Sequence, residues 1–231
     1  MKIALIGYGA MGKLIETLAK NKNHEIVAII DEAEANLSVE ELAEKLKAAD
    51  VTIDFSIAKA VKKNVEACCL AEISLVEGAT GWNSELEEIQ NYIKENNGSF
   101  VFGANFSIGV NLFYRVVDYA SELFAKFDDY EAFIEEQHHS RKVDAPSGTA
   151  LKLKSIVAEH IKKDFSVAAT RAGNIPGTHR VGFDGNADQI LLEHFARSRE
   201  GFASGAIMAA EWVAGRKGFW EFTEVMDEII R

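Results

Sequence analysis

The hydrophobic positions in the first hundred residues form short apolar runs separated by longer amphipathic stretches. The apolar runs predict strands at residues 2–6, 26–30, 51–56, 73–76 and 100–102. Helical spacing between them predicts helices from about 10 to 20, and at 39–49, 58–70 and 84–96. Strands that alternate with helices are typical of a parallel, doubly wound sheet, so this part of the chain is predicted to have an α/β fold.

The pattern changes after a long helix predicted at 109–126. Strands are predicted at 130–137, 165–171, 178–184 and 188–196, with one helix at 147–163 and no helix between the last three strands. This succession indicates a mixed or antiparallel sheet in a second domain. We therefore predict a first domain over 1–106 and a second over 107–201. The helices predicted at 205–214 and 220–230 belong to a C-terminal segment, 202–231, that returns to the first domain.

The loop after the first strand has the spacing GxGxxG. It comprises Gly7, Tyr8, Gly9, Ala10, Met11 and Gly12, and the next predicted strand ends at Asp31. In dinucleotide-binding domains, the first glycine permits a tight turn, the second lets the backbone approach the pyrophosphate, and the third lets helix and strand pack closely. The acidic residue accepts hydrogen bonds from the adenosine ribose. The sequence therefore predicts that residues 1–106 bind a dinucleotide through this loop and Asp31.

Asp31 also bears on which dinucleotide is bound. Its carboxylate would repel a 2′-phosphate, and residues 32–35 (Glu-Ala-Glu-Ala) contain no arginine or lysine to offset that repulsion. We predict that NADH is preferred and that NADPH remains possible. The alternative is that a basic residue elsewhere in the chain, such as Lys45 or Lys47, reaches the phosphate.

Two further loops are predicted to lie beside the glycine loop, because ligands of such sheets bind beyond the carboxyl ends of the strands. They follow the strands that end near Val76 and Phe102. Each loop taken alone is also compatible with ordinary turn chemistry. Their shared position predicts that they line the nicotinamide half of the cofactor, through Gly78, Ala79, Thr80, Phe102, Gly103, Ala104 and Asn105.

The stretch 136–150 (EQHHSRKVDAPSGTA) concentrates cationic and hydrogen-bonding residues in a chain whose net charge is −11. Pro146 is predicted in the first turn of the following helix, where Ser147 and Thr149 can hydrogen-bond free N–H groups. Such a helix start attracts carboxylate or phosphate. The helix itself is predicted to bury Leu151, Leu153, Ile156, Val157 and Ile161.

Three side chains of this stretch, His138, His139 and Lys142, are candidates for catalysis or binding. Histidine suits proton transfer because its unperturbed pKa is about 6.5, and a nearby lysine can stabilise developing negative charge. The alternative is that the histidines are surface residues and that the basic run is a solvated loop. Arg141 is predicted to face solvent. The remaining histidines considered (His160, His179 and His194) are predicted to be structural, and no metal site is predicted because no pair has metal-ligand spacing.

Composition limits the remaining possibilities. The 231 residues are 48% hydrophobic and 26% charged, which is ordinary for a globular protein. The acidic balance argues against a nucleic-acid partner, and the apolar runs are too short to span a bilayer. With no signal peptide recognised, a cytoplasmic location is predicted. The adjacent Cys68 and Cys69 are predicted to be buried packing residues.

The stretch 136–150 resembles the signature of the dihydrodipicolinate reductase family, acidic–x–His-His–x–x–Lys–x–Asp-Ala-Pro-Ser-Gly-Thr-Ala, at every fixed position. The similarity extends to residues 7–12, 51–56, 78–81, 105–111, 171–173 and 203–213. It implies a Rossmann-type dinucleotide-binding domain (1–106) and a domain for substrate binding and tetramerisation (107–201). The chain departs from the family in a shortened segment after Asp31 and in lacking the basic residue that many relatives carry there.

The resemblance also implies roles for individual residues. His138 is expected to be the general acid/base and Lys142 an assisting proton donor, while His139, Gly148 and Thr149 bind the substrate's carboxylates. The expected enzyme is a homotetramer of lysine and diaminopimelate biosynthesis. It would use NAD(P)H to reduce (4S)-4-hydroxy-2,3,4,5-tetrahydrodipicolinate to tetrahydrodipicolinate with loss of water.

The residues themselves leave two other classes of function open. One is a dehydrogenase that acts on another small carboxylate, such as an amino acid or a semialdehyde, because the same fold and cofactor serve many reactions. The other is a redox-sensing NAD-binding module without catalysis. That hypothesis leaves the basic residues of the stretch 136–150 unexplained.

Overall fold

A computed structural model describes residues 1–34 and 36–231, which form two compact units. The first unit comprises Met1–Ser107 together with Phe202–Arg231, and the second comprises Ile108–Gly201. Of the helices described, none is both long enough and apolar enough to cross a membrane.

The helices and strands follow one another in three groups. The first is β1 (Lys2–Ile6), α1 (Ala10–Asn21), β2 (Glu25–Ile30), α2 (Val39–Leu46), β3 (Val51–Asp54), α3 (Val61–Leu70), β4 (Ser74–Glu77), α4 (Leu86–Glu95) and β5 (Ser99–Phe102). The second is α5 (Ile108–Phe124), β6 (Glu131–His138), α6 (Gly148–His160), β7 (Ser166–Arg171), β8 (Thr178–Asp184) and β9 (Gln189–Phe195). The third is α7 (Glu200–Val213), β10 (Gly218–Glu221) and α8 (Phe222–Ile230).

The described strands of the first unit form a parallel sheet in the order β10-β5-β4-β3-β1-β2. β1, β3 and β4 are almost wholly buried, as expected for strands covered on both faces by helices. The helix α2 begins with a capping box in which Ser38 and Glu41 satisfy each other's backbone N–H groups. The predicted doubly wound α/β fold is confirmed.

The prediction of one helix over residues 220–230 is wrong at its start. Gly218–Glu221 forms β10 and pairs in parallel with β5, and α8 begins only at Phe222. The cause is tertiary packing: the ring of Phe219 stacks on Phe100 with the ring centroids 5.3 Å apart, and its centroid lies 5.0 Å from that of Phe102. A strand of four residues is too short to show its own periodicity.

The second unit contains the predicted mixed sheet, in the order β7-β6-β8-β9. β6 runs parallel to β7 and antiparallel to β8, and β8 is antiparallel to β9. The helices α5 and α6 contribute apolar residues to one core with β6 and β8, which includes Val110, Phe113, Val117, Ile134, Leu153, Val157, Val181 and Phe183.

Two predictions about α6 are corrected. Leu151 is 52% exposed, because the buried face runs through Ala150, Leu153 and Val157 and leaves the next residue after Ala150 about 100° away. Pro146 lies before the helix, since Ser147 is the N-cap and Gly148 the first helical residue. The Oγ of Ser147 accepts a hydrogen bond from the N–H of Ala150 at 3.2 Å, as predicted for a capping serine.

Two carboxyl groups lie buried side by side where β3 and β4 end. Asp54 and Glu77 are in register and both are 0% exposed. Asp54 accepts hydrogen bonds from the N–H of Ser56 (2.7 Å) and from Nδ2 of Asn64 (2.6 Å). Glu77 accepts one bond from Ala79, while its Oε2 is buried without a hydrogen-bond partner among the described residues. Burial, together with the charge of Asp54, raises the pKa of Glu77 well above its ordinary value, so the proton belongs on Glu77.

We predict that Glu77→Gln makes the fold less sensitive to alkaline pH. The native state holds the proton of Glu77 more tightly than the unfolded chain does. The stability that this proton contributes is therefore fully present below the unfolded pKa, near 4.5, and is lost as the pH rises through the raised native pKa. Glutamine keeps an acceptor for the N–H of Ala79 and cannot ionise. At the alkaline end of the pH series, the free energy of unfolding of the variant should therefore exceed that of the native protein by at least about 1 kcal/mol.

Urea denaturation at a series of pH values above 4.5 measures this difference. Glu87→Gln is the matched control, because it removes the same charge from an exposed position on α4. Equal pH dependence in the native protein and Glu77→Gln would show that Glu77 does not hold the proton.

Candidate active site

The glycine loop between β1 and α1 has the backbone that a bound pyrophosphate requires. Gly7 has a φ of +83°, and a Cβ there would lie 2.7 Å from the backbone of Phe55. A Cβ on Gly12 would lie 2.3 Å from the carbonyl oxygen of Gly7, so both positions require glycine. At Gly9, by contrast, no described atom lies within 4 Å of where a Cβ would be. The open space faces the start of α1, whose first N–H groups lack helical acceptors and can bind phosphate.

The other residues of this loop frame that space. The hydroxyl of Tyr8 donates to the carboxylate of Glu16, and the Nζ of Lys13 lies 5.6 Å from the centre of the Tyr8 ring. Ala10 is exposed and Met11 is half-buried at the first turn of α1. The residues present therefore fit a dinucleotide.

Asp31 lies exposed directly after β2, and its N–H donates to Oε2 of Glu34 at 3.2 Å. Lys45 pairs with the other carboxylate oxygen of Glu34 at 3.3 Å, and Lys47 pairs with Glu44. The two lysines considered as possible partners of a 2′-phosphate thus each have a carboxylate partner. Ala35, part of the segment predicted to lack a basic residue, lies outside the described residues.

The loops after β4 and β5 meet at the same edge of the sheet, since the N–H of Gly103 donates to the carbonyl of Glu77. A Cβ on Gly78 would lie 2.4 Å from the ring of Phe55, and the carbonyl of Ala79 accepts from the indole of Trp82. Thr80 and Ala104 are exposed and Asn105 is half-buried, while the ring of Phe102 packs against Trp82 and Phe219. The structure brings both predicted loops to the carboxyl ends of adjacent strands.

In the second unit, the alternation of β6 places Glu136 and His138 on the same inward face. They are 1% and 9% exposed. In the register of the sheet, His179 on β8 lies opposite Glu136, and Arg171 at the end of β7 lies opposite His138. Four ionisable side chains from three strands therefore converge at one end of the sheet.

Glu136 is the most highly connected member of this group. Its Oε1 accepts hydrogen bonds from the N–H of Ser147 (3.0 Å) and from Nη2 of Arg171 (2.6 Å). Its Oε2 lies 2.5 Å from Nδ1 of His138, an ion-pair distance whose angles fall outside those of a hydrogen bond. Burial by itself would raise the pKa of Glu136, but the bonds from Arg171 and Ser147 outweigh burial and hold that pKa below its usual value. Glu136 is therefore a carboxylate at neutral pH.

His138 presents its two ring nitrogens to different surroundings. Nδ1 is buried against Glu136, and a Cβ at Gly177 would lie 3.2 Å from Nε2. Burial lowers the pKa of His138, the cations Lys142 and Arg171 lower it further, and the carboxylate of Glu136 opposes them. With Nδ1 enclosed, Nε2 is the nitrogen that can exchange a proton with a ligand.

The remaining predicted residues surround the start of α6. The Nζ of Lys142 lies 2.9 Å from Oδ1 of Asp144, and the backbone N–H of Lys142 donates to the carbonyl of His139. His139 is half-buried, Gly148 is exposed and Thr149 is half-buried. Apart from its chain neighbours and the backbone of its own helix, no described atom lies within 4 Å of a Cβ built on Gly148, and the carboxylate of Asp144 interacts with the backbone of Gly148. As predicted, Arg141 is exposed, and it donates to the side chain of Asn174.

Sequence reasoning missed four residues of this site: Glu136, Arg171, Gly177 and His179. The i, i+2 spacing of Glu136 and His138 in a strand was a usable signal. His179 was predicted to be structural, and only the pairing of β6 with β8 brings it near His138, with ring centroids 5.1 Å apart. Burial and the neighbouring His138 lower the pKa of His179 to about 4, so it is neutral, and its Nε2 lies 3.2 Å from Oγ of Ser147.

Glu136, His138 and His179 each place one potential ligand atom within 4.8 Å of the others, a spacing that could hold a metal ion. The surrounding charges disfavour one: the guanidinium of Arg171 already binds the carboxylate, and Lys142 acts on both histidines. That the protein has no metal site remains a prediction.

A Rossmann-type sheet with a glycine loop, together with a unit that carries a histidine–carboxylate pair, is the arrangement expected of a pyridine-nucleotide-dependent oxidoreductase. The family model described as dihydrodipicolinate reductase, N-terminus, matches residues 1–106, and the model of its C-terminus matches 109–226. The chain belongs to the dihydrodipicolinate reductase family.

Individual relatives support the same assignment. The chain is 35% identical to the 4-hydroxy-tetrahydrodipicolinate reductase of Christiangramia forsetii over the full length of both chains. It is 34% identical to the enzyme of that name in Methanosarcina barkeri, over 98% of this chain and 99% of the relative. The fold matches that of a dipicolinate-bound dihydrodipicolinate reductase from Paenisporosarcina sp. TG-14, with a TM-score of 0.77, 24% identity and coverage of 97% and 99%.

We predict that Gly177→Ala lowers kcat/KM by at least about tenfold while the protein remains folded. The φ of +148° at Gly177 is unfavourable for alanine, and the added Cβ would press on Nε2 of His138. His138 is predicted to exchange a proton with the substrate, and a small displacement of such a group costs much of its effectiveness. Turnover and circular dichroism measure the two parts of this prediction.

Gly173→Ala is the matched control, because Gly173 also has a positive φ (+48°) but no described atom lies within 4 Å of its added Cβ. Equal activity of the two variants would mean that the space beside Nε2 is not needed.

Proposed function

We propose that the protein uses NAD(P)H to reduce (4S)-4-hydroxy-2,3,4,5-tetrahydrodipicolinate to tetrahydrodipicolinate with loss of water, a step of lysine and diaminopimelate biosynthesis. The observation that carries this proposal is the pairing of His138 with a buried carboxylate beside an anion-binding helix start. The chain's full-length similarity to enzymes named for this reaction supports it.

In this proposal the protein's own groups manage protons and charge. The nicotinamide cofactor supplies a hydride when it is bound. His138 is the general acid/base, and it exchanges a proton with the substrate through Nε2. Lys142 is an assisting proton donor whose cation stabilises negative charge as it develops on the substrate. The ion pair of Lys142 with Asp144 keeps that cation in the turn that follows His138.

The substrate is a cyclic dicarboxylate and therefore needs two sites for negative charge. We assign one carboxylate to the start of α6 at Gly148 and Thr149, where the helix dipole favours negative charge. His139 belongs to the same binding site. Its Nδ1 is buried without a hydrogen-bond partner among the described residues, which leaves Nε2 as the nitrogen that can reach a carboxylate.

The dinucleotide is assigned to the glycine loop (residues 7–12), to Asp31, and to the loops 78–80 and 102–105. We further propose that NADH is preferred over NADPH. The exposed carboxylate of Asp31 would repel a 2′-phosphate, and the pairing of Lys45 and Lys47 with glutamates supports the same preference.

The proposed reaction is tested by following NADH oxidation with substrate generated in situ from pyruvate and aspartate semialdehyde by the preceding enzyme. We expect rapid oxidation that requires the complete mixture, and a higher kcat/KM for NADH than for NADPH. Cofactor binding without oxidation would contradict the reaction. A clear preference for NADPH would contradict only the assignment of Asp31.

The control for the chemistry in this assay is His138→Ala. Loss of one acid/base group should lower kcat at least about a hundredfold, with modest loss of NADH affinity. Unchanged turnover would remove His138 from the mechanism.

We also propose the cytoplasmic location that the sequence predicts and, from the resemblance, a homotetramer assembled through the sheet of the second unit. The described edge strand β9 supports an assembly there, because Leu191 and Phe195 are large apolar residues that are about half exposed. Sedimentation equilibrium should give an assembly with the mass of four chains. Substitution of both residues by serine should give an assembly of fewer chains. A monomeric native protein would contradict this assembly.

A further inference from the structure

We propose that the carboxylate of Glu136 is a positioning group that fixes the ring of His138 and the start of α6 relative to each other. The proposal rests on the function proposed above for His138. Glu136 itself is 1% exposed and therefore acts through its neighbours.

The two oxygens of Glu136 have different partners. Oε1 accepts from the N–H of Ser147, the N-cap of α6, and from Nη2 of Arg171. Oε2 has only Nδ1 of His138 within reach among the described residues, at 2.5 Å. One rigid carboxylate thus connects the general acid on β6 to the helix start that is assigned to a substrate carboxylate.

The negative charge at Oε2 lies 2.5 Å from Nδ1 of His138 and acts on the ring electrostatically, because the angles of this contact are not those of a hydrogen bond. An adjacent negative charge favours the tautomer in which Nδ1 bears hydrogen. Neutral His138 then has a bare Nε2, and the protonated ring has an acidic hydrogen on Nε2. Both forms are required of a group that exchanges a proton with the substrate.

Arg171 extends the same connection to Lys142. Its Nη2 donates to the carbonyl oxygen of Asp144 (2.5 Å) as well as to Glu136. The side chain of Asp144 in turn pairs with Lys142. The histidine, the lysine and the helix start are therefore connected to one buried carboxylate within the second unit.

The groups that act electrostatically on His138 come from every neighbouring element. Glu136 lies on its own strand, Arg171 on β7, His179 on β8, and Lys142 in the following turn. Glu136 is the one anion in this set of described residues, and it opposes the lowering of the His138 pKa by burial, Lys142 and Arg171. Removing its charge should lower the pKa of His138 further.

The first experiment is a nuclear magnetic resonance titration of the histidine rings, assigned to His138 with the His138→Ala variant. In the native protein, the nitrogen shifts of neutral His138 should show hydrogen on Nδ1. In Glu136→Gln, His138 should titrate at a lower pH than in the native protein. Hydrogen on Nε2 in the native protein would overturn the proposal, and this measurement stands even if Glu136→Gln does not fold.

Glu135→Gln is the matched control. It removes the same charge from the adjacent position on β6, where the side chain is about half exposed and lies 3.6 Å from Arg180. We expect the titration of His138 in this variant to match that of the native protein. If the two variants shift the pKa of His138 equally, the effect is one of net charge and the positioning role of Glu136 is refuted.

The second experiment is the pH dependence of kcat/KM. Glu136→Gln should lower the maximum of kcat/KM by at least about tenfold and move the limb that reports His138 to lower pH. The reason is that a glutamine amide lacks the negative charge that favours hydrogen on Nδ1 and raises the pKa of His138. A uniform loss of activity with no displacement of that limb would indicate a merely structural role. Absence of turnover in the native protein would contradict the proposed function alone, since the ring titration does not depend on turnover.

Discussion

The second unit depends on one buried carboxylate, that of Glu136, and on the donors that keep it charged. Placing an anion at a site that is 1% exposed is unfavourable unless hydrogen bonds and opposite charges compensate. Arg171 and the N–H of Ser147 provide that compensation, and they come from a neighbouring strand and from the start of a helix. The carboxylate that these donors keep charged also lies 2.5 Å from Nδ1 of His138, so it contacts both the histidine and the start of α6.

The first unit follows a different rule, in which backbone shape determines the site. Gly7 and Gly12 bring β1, α1 and β3 too close together for any side chain, and Gly9 leaves open space where the phosphates are expected. At the ends of β3 and β4, Asp54 and Glu77 form a buried pair in which burial favours one protonated carboxyl group, that of Glu77, over two charges. The expected cofactor site of the first unit is thus formed by its main chain, whereas the candidate site of the second unit is formed by ionisable side chains.

Much of this could be predicted from local pattern. The alternating strands and helices, the glycine loop, Asp31 and the cap at Ser147 depend on neighbours within a few residues, and the structure forms each of them where expected. The strand at 218–221 and the exposure of Leu151 could not be predicted in this way. The first forms because Phe219 packs on Phe100 and Phe102, and the second depends on which face of α6 meets the sheet.

By itself the sequence determined the α/β class, the dinucleotide loop and the stretch that carries His138, Lys142 and the helix start. These features are contiguous, so their chemistry can be recognised from spacing alone. Only the tertiary structure decided that Arg171, His179 and Gly177 lie beside His138, because strand pairing brings together residues as far apart in the chain as Glu136 and His179. The state of a buried histidine depends on those distant partners, since burial and charge act through space and not along the chain.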